Sequence, residues 1–306
     1  MIAFVFPGQG SQYPGMGKDL VENFSVAKQV FEEADEALGF DLSGLCFRGS
    51  EEDLKLTANT QPAILTASVA TLRVLEQETG LCPDYTAGHS LGEYSALVAS
   101  GALTFAAAVS TVRQRGTFMQ EAVPVGVGAM AAIMGIERPE LEALCTEAAA
   151  GEVVAPANFN SPGQIVIAGH ATAVERAIAL AKERGAKRAL PLPVSAPFHS
   201  PLMAPAAERL AAVLDPLAIG EMRCPVVSNV EAEENHDPRR IKALLVDQVC
   251  APVRWDESVL RMHSLGVERF VEIGPGKVLT GLIKRIARGA ILENVDSVES
   301  IGKLKS

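Results

Sequence analysis

The sequence predicts a layered α/β fold, in which a large unit with a mainly parallel sheet is interrupted by a small ferredoxin-like unit. Three observations carry this. Short β-branched or aromatic runs alternate with longer segments whose apolar and small residues recur at three and four, as Ile64, Ala67, Ser68, Thr71, Leu72 and Leu75 do. Between about 125 and 195 the texture changes, and the elements there follow the order β-α-β-β-α-β. The 306 residues, 48% of them hydrophobic, are enough for one large core carrying a smaller one. Residues 1–124 and 196–306 are therefore expected to form the large unit, and 125–195 the insert.

Taken in order, Ile2-Ala3-Phe4-Val5-Phe6 reads as a buried strand stopped by Pro7-Gly8. Helical periodicity covers Val26–Leu38, Pro62–Glu78, Gly92–Ser100 and Phe105–Gln120. In the insert, Gly128–Met134 is a short apolar strand, and Pro139–Ala149 a helix with acidic residues in its first turn. Val153–Ala157 and Gln164–Ala168 read as strands joined by the turn formers Asn158–Gly163. Ala173–Glu183 is a helix closed by Gly185, and Arg188–Val194 the last strand of the insert. Beyond it come helices at Met203–Leu214, Arg239–Val249, Ser258–Leu265 and Val278–Ile286, with strands at Val226–Val230 and Phe270–Ile273. The last ten residues read as a loose tail.

Composition narrows the function. A net charge of −10 argues against a general nucleic-acid binder. No apolar run is long enough to span a bilayer, and the opening run is too short for a leader's apolar core. The five cysteines, Cys46, Cys82, Cys145, Cys224 and Cys250, are odd in number, scattered and free of CxxC pairing. Neither a metal site nor a secreted disulfide framework is expected, and the reduced cytoplasm is the natural compartment. Glycines 8, 10, 15 and 17 follow a strand, but Tyr13 stands where a dinucleotide fingerprint needs glycine. Lys18-Asp19 lacks the Ser/Thr of a phosphate-binding loop.

Gly88-His89-Ser90-Leu91-Gly92 matches a G-x-S-x-G nucleophile elbow between an apolar approach and a helix. Flanking glycines permit a tight strand-to-helix turn, and the helix start supplies N–H groups to a developing oxyanion. The context points to a large unit of α/β-hydrolase type. A serine needs a base. Among five histidines, His89 sits beside the serine and shapes the turn, while His170, His236 and His263 read as surface residues. His199 lies in the proline-kinked loop where the insert rejoins the large unit, and is the chosen base. No aspartate holds an evident triad position, so a neutral carbonyl or amide is expected to orient it; Gln248 can provide one.

Further segments accompany the elbow: Phe6-Pro7-Gly8-Gln9-Gly10-Ser11-Gln12, Thr60-Gln61-Pro62-Ala63, Arg113-Gln114-Arg115-Gly116 and Met119-Gln120. Later come Ala157-Asn158-Phe159-Asn160-Ser161-Pro162-Gly163-Gln164, Phe198-His199-Ser200, Val227-Ser228-Asn229-Val230 and Glu272-Ile273-Gly274-Pro275-Gly276. Through them the chain resembles, from Ala3 to about Arg288, the malonyl-CoA:acyl carrier protein transacylase family of bacterial fatty-acid synthesis. The resemblance implies a ping-pong transfer through a Ser90 malonyl ester. His199 is then the base, Gln248 the residue that steadies it, and the backbone N–H groups of Gln9 and Leu91 the oxyanion hole. Arg115 is implied to grip the malonyl carboxylate, a role that suits a guanidinium fork. Gln61, Met119, Asn160 and Phe198 are implied to line the pocket. In related polyketide synthase acyltransferase domains a Phe before this histidine goes with malonyl and a Ser with methylmalonyl, so Phe198 favours an unbranched extender.

The implied partners are malonyl-CoA and an acyl carrier protein, with no cofactor or metal, no nucleic acid and no membrane, and a monomer as the expected state. Basic residues Lys182, Arg184, Lys187, Arg188, Lys284 and Arg285 are candidates for docking the acidic carrier; solvated helix faces are the ordinary explanation of such clusters. Three other readings stay open from the residues. A serine thioesterase or hydrolase of α/β-hydrolase type would need a late Asp/Glu–His pair and release free acid. A freestanding acyltransferase for a polyketide synthase would differ only in its carrier. A non-enzymatic carrier-docking subunit would leave Ser90 unmodified.

Overall fold

The computed structural model describes residues 1–194 and 196–305. Its strands are β1 (Ile2–Phe6), β2 (Tyr85–Gly88), β3 (Gly128–Met134), β4 (Val154–Ser161), β5 (Gln164–His170), β6 (Arg188–Pro191), β7 (Val226–Val227), β8 (Glu234–Asn235), β9 (Arg269–Ile273) and β10 (Ile291–Val295). They form two sheets. One has the order β10-β9-β1-β2-β7-β8, parallel except for the edge strand β8. The other is antiparallel, with the order β4-β5-β3-β6. With helices Arg138–Ala149 and Ala171–Glu183 between its strands, it is the ferredoxin-like arrangement the element order predicts. Ser195, the end of the predicted insert, lies outside the described residues.

The large sheet is buried on both faces, as parallel sheets are. Because strand side chains alternate, Phe4 and Phe6 of β1 enter one core while Ala3 and Val5 enter another. The first core takes helices Ser25–Leu38, Thr57–Thr79, Gly92–Ser100 and Phe105–Glu121. The second is filled from helices Trp255–Ser264 and Val278–Ile286. The small sheet divides likewise. Ala131, Ile133, Ile165 and Ile167 pack under its own helices, while Met130, Val166 and Ala168 join the larger core. A ladder between Ala157–Phe159 and Val253 ties the two units together: Phe159 N–H donates to the Val253 carbonyl at 2.9 Å, and Val253 N–H to that of Ala157 at 2.9 Å. Among the described residues no helix is long and apolar enough to cross a membrane.

Several expectations need correction. Helix Thr57–Thr79 begins five residues before Pro62, which sits inside it and forgoes only the bond to the Ala58 carbonyl. Asn158–Ser161 is strand rather than turn; bulges at Ala157 and Asn160 accommodate the polar run, leaving Pro162-Gly163 as the hairpin turn. The predicted strand Val226–Val230 ends at Val227, and Ser228–Val230 leave the sheet toward the elbow. The C-terminal segment is no loose tail. Helix Val298–Leu304 starts with a Ser297–Ser300 capping box and buries Ile301, and Val298 N–H donates to Asp19 Oδ2 at 3.0 Å.

Candidate active site

The site forms at the carboxyl ends of β1 and β2, where open α/β sheets bind ligands. β2 ends at Gly88, the turn His89-Ser90-Leu91 follows, and helix Gly92–Ser100 begins at once. The glycines are required by contact. A Cβ on Gly88 would lie 1.9 Å from Gly92 backbone atoms, and one on Gly92 would lie 2.2 Å from the Phe6 carbonyl oxygen. Ser90 takes φ 54°, a left-handed conformation rare for residues other than glycine. The turn is strapped from outside by Asn229. Its Oδ1 accepts from Ser90 N–H at 2.7 Å, and its Nδ2 donates to the Gly88 carbonyl at 2.7 Å.

His199 reaches the serine from the loop where the small unit rejoins the large one, and it too has a positive φ, 57°. Ser90 Oγ and His199 Nε2 are 2.8 Å apart. His199 Nδ1 is 2.8 Å from the backbone carbonyl of Gln248. A carbonyl can only accept, so Nδ1 carries the proton and Nε2 is left free to accept the serine O–H. The orienting group is thus the Gln248 main chain, at the C-terminal end of helix Ile241–Cys250. Its side chain is used elsewhere. Oε1 accepts from Arg115 Nη2 at 2.9 Å, while Nε2 donates to Glu93 Oε2 at 2.8 Å and to the Ser90 carbonyl at 3.1 Å.

Arg115, on helix Phe105–Glu121, is 1% exposed. Its Nη1 donates to Gln61 Oε1 at 2.8 Å, and its Nη2 lies 3.2 Å from Ser90 Oγ. Its Nε has no protein partner. A buried guanidinium with an unmatched donor beside a nucleophile is set up to receive an anion.

Ser90, Leu91, His199, Arg115, Gln9, Gln61, Met119 and Phe198 all line one cavity of about 130 Å³. The N–H groups of Gln9 and Leu91 donate to no protein acceptor among the described residues. Asn160 stands one position behind this lining: its Oδ1 sits 2.8 Å from Nε2 of His89, which lines the cavity together with Asn158. The six basic candidates are all exposed. Arg184, however, is paired with Glu147. Arg188 opens β6 opposite Met134, and Lys187 just before it donates its N–H to the Met134 carbonyl at 2.8 Å; Met134 pairs with Gln164, whose side chain accepts from Arg285 Nη1 at 2.7 Å. Lys187, Arg188 and Arg285 therefore lie toward one end of the small sheet.

Sequence reasoning missed the parts of Asn229 and Glu93. Asn229 stood in a quoted segment read as strand, and Glu93 only within the helical stretch Gly92–Ser100. In the fold Glu93 is 3% exposed, and burial pushes its carboxyl up to about 7 against its bonds to Asn229 and Gln248. Burial first, then the Arg115 charge, push the His199 imidazole down to about 3. A base with a lowered pKa stays neutral, and so able to accept a proton, until the pH falls near that value. The rate at which a neutral sulfonyl fluoride modifies Ser90 should therefore stay nearly flat between about pH 8 and about pH 5. A fall centred near the ordinary histidine pKa of ~6.5 would contradict this environment for His199.

The family model described as acyl transferase domain matches residues 3–306. A malonyl CoA-acyl carrier protein transacylase of Bacillus subtilis is 56% identical over 288 residues, covering 94% of this chain and 90% of the relative. An acyl carrier protein S-malonyltransferase of Vibrio cholerae, known from its crystal structure, superposes with a TM-score of 0.97 at 53% identity and 99% coverage of both chains. A malonyl-transacylase solved in complex with its type II PKS acyl-carrier protein superposes with a TM-score of 0.97 at 49% identity, covering 99% of this chain and 98% of that one. Likeness at this level, running through both units and the cavity between them, settles the kinship: the chain belongs to the malonyl CoA-acyl carrier protein transacylase family of acyl transferases.

Proposed function

We propose that the protein transfers the malonyl group of malonyl-CoA to the phosphopantetheine thiol of an acyl carrier protein through a Ser90 ester, supplying extender units for fatty-acid synthesis in the cytoplasm. The observation that carries this reading is the buried Arg115 guanidinium 3.2 Å from Ser90 Oγ. A hydrolase that accepts neutral acyl groups gains nothing from a desolvated cation there, whereas a carboxylate two carbons from the thioester carbonyl would meet it.

In the first half-reaction His199 Nε2 takes the Ser90 proton as Oγ attacks the thioester carbonyl. The N–H groups of Gln9 and Leu91 face the developing oxyanion, and the C–S bond breaks to release coenzyme A as its thiol, protonated from His199. In the second half the carrier thiol gives its proton to His199 and attacks the ester carbonyl, and Ser90 leaves with that proton restored. A thioester is exchanged for a thioester, so the reaction balances without metal, redox cofactor or nucleotide hydrolysis. Gln61 and Gln248 hold the guanidinium, while Met119 and Phe198 bound the acyl end, with Phe198 crowding a branched α-carbon.

We assign residues 1–124 and 196–306 to the catalytic body and 125–195 to an insert that forms one wall of the cavity. The two sheets share no strand, which supports that division. In this reading a monomer is the acting unit. Lys187, Arg188, Lys284 and Arg285 form the docking face for an acidic carrier, with Lys182 beside it and Arg184 partly neutralised by Glu147.

With malonyl-CoA alone, free malonate should accumulate slowly, and addition of holo carrier protein should divert the acyl group to the carrier thiol. Equal malonate release with and without carrier would identify a hydrolase instead. Arg115→Ala should lose about 10- to 150-fold in malonyl-CoA kcat/KM, the worth of a charge-assisted hydrogen bond, together with its preference over acetyl-CoA. An unchanged preference would remove the arginine from this role. Reversing charge at Lys187 and Arg188 to Glu should raise the KM for carrier protein and leave the first half-reaction with malonyl-CoA unaltered; an equal effect on both substrates would count against the docking face.

A further inference from the structure

One buried acid is used by none of the steps above. Glu93 stands in the first turn of the helix that follows the nucleophile, and its Oε2 accepts two hydrogen bonds, from Asn229 N–H at 3.0 Å and from Gln248 Nε2 at 2.8 Å. Asn229 straps the elbow through Ser90 N–H and the Gly88 carbonyl. Gln248 touches both other parts of the site, His199 through its main chain and Arg115 through its side chain.

The chemistry of the amide makes the second contact informative. A glutamine side chain has a donor end and an acceptor end of nearly equal shape, and only its neighbours decide which way it faces. Glu93 Oε2 already accepts from the Asn229 N–H, so this oxygen faces Gln248 as an acceptor and takes the Nε2 end. Oε1 is then turned to Arg115, whose guanidinium can only donate. The reverse orientation would set two donors face to face at Arg115 and two acceptors at Glu93.

We propose that Glu93 is a positioning residue for acyl selectivity: through Gln248 it fixes the acceptor that aims the Arg115 guanidinium at the distal carboxylate of the acyl group. This rests on the reading of Arg115 as the malonyl-binding residue. The competing explanation is that Glu93 only braces the elbow through Asn229. The two differ in what they do to the choice of substrate. Loss of a brace slows acylation by malonyl-CoA and acetyl-CoA alike, because both use Ser90. Loss of aim harms only the substrate that carries a carboxylate.

Glu93→Gln keeps the shape and removes the acceptor-only demand. For this variant the malonyl-CoA kcat/KM should fall about tenfold, mostly through KM, with a much smaller change for acetyl-CoA, so that the ratio of the two falls. Gln248→Met removes the amide but leaves the main-chain carbonyl that His199 uses; it should lower the ratio by a similar factor. The double variant should be no worse than either single one, since one residue acts through the other. A ratio unchanged in Glu93→Gln, or additive losses in the double variant, would overturn the proposal. Should Glu93→Gln fail to fold, Gln248→Met decides alone: an intact malonyl preference there overturns it. The unsubstituted protein, measured alongside, separates the two levels, because a failure to prefer malonyl-CoA at all would refute the Arg115 reading itself.

Discussion

A hydrogen bond of 2.8 Å between Ser90 Oγ and His199 Nε2 joins residues 109 positions apart, and most of the architecture serves to keep it. Both ends sit at positive φ, which L side chains adopt only when surrounding structure over-determines them. At the serine end the determinants are two glycines with no room for a Cβ and the Asn229 strap. At the histidine end they are the return of the chain from the small sheet and the Gln248 carbonyl. The small unit thus has a mechanical part: its sheet presses Met130, Val166 and Ala168 onto the larger core and delivers the histidine loop to the nucleophile.

The second constraint is electrostatic. A guanidinium taken out of water loses solvation worth several kcal/mol, and the fold offsets this with Gln61, Gln248, the Tyr94 ring 5.7 Å away and the nearby Glu93 carboxylate. The offset is incomplete, since Nε stays unpaired. That leaves a site whose best complement is an anion of limited length lying against the nucleophile. Burial and then the same cation push the His199 imidazole down to about 3, so in the proposed reading one arginine serves both the choice of substrate and the state of the base.

What could be read from the sequence follows from where the information lies. The elbow was legible because its glycines are a local steric necessity, and the ferredoxin-like unit because strand and helix periodicities differ. His199 came from its setting in a kinked loop, whereas Arg115 needed the resemblance, since an internal helix arginine beside glycine reads as surface. For Gln248 the sequence left open whether carbonyl or amide orients the base, because a main-chain acceptor leaves no mark on residue identity. Asn229 was hidden because a strand pattern runs into it. The C-terminal helix was missed because its burial rests mainly on Ile301 and on a distant cap contact from Asp19.

The central claim is that Ser90 carries the acyl group between two thiols, and trapping that ester tests it most directly. Intact-mass measurement after brief exposure to malonyl-CoA, with proteolytic mapping of the adduct, should find one malonyl group per chain on the peptide containing Ser90, removed when holo carrier protein is added. An adduct on another residue, or steady acyl exchange by a Ser90→Ala chain, would contradict the account.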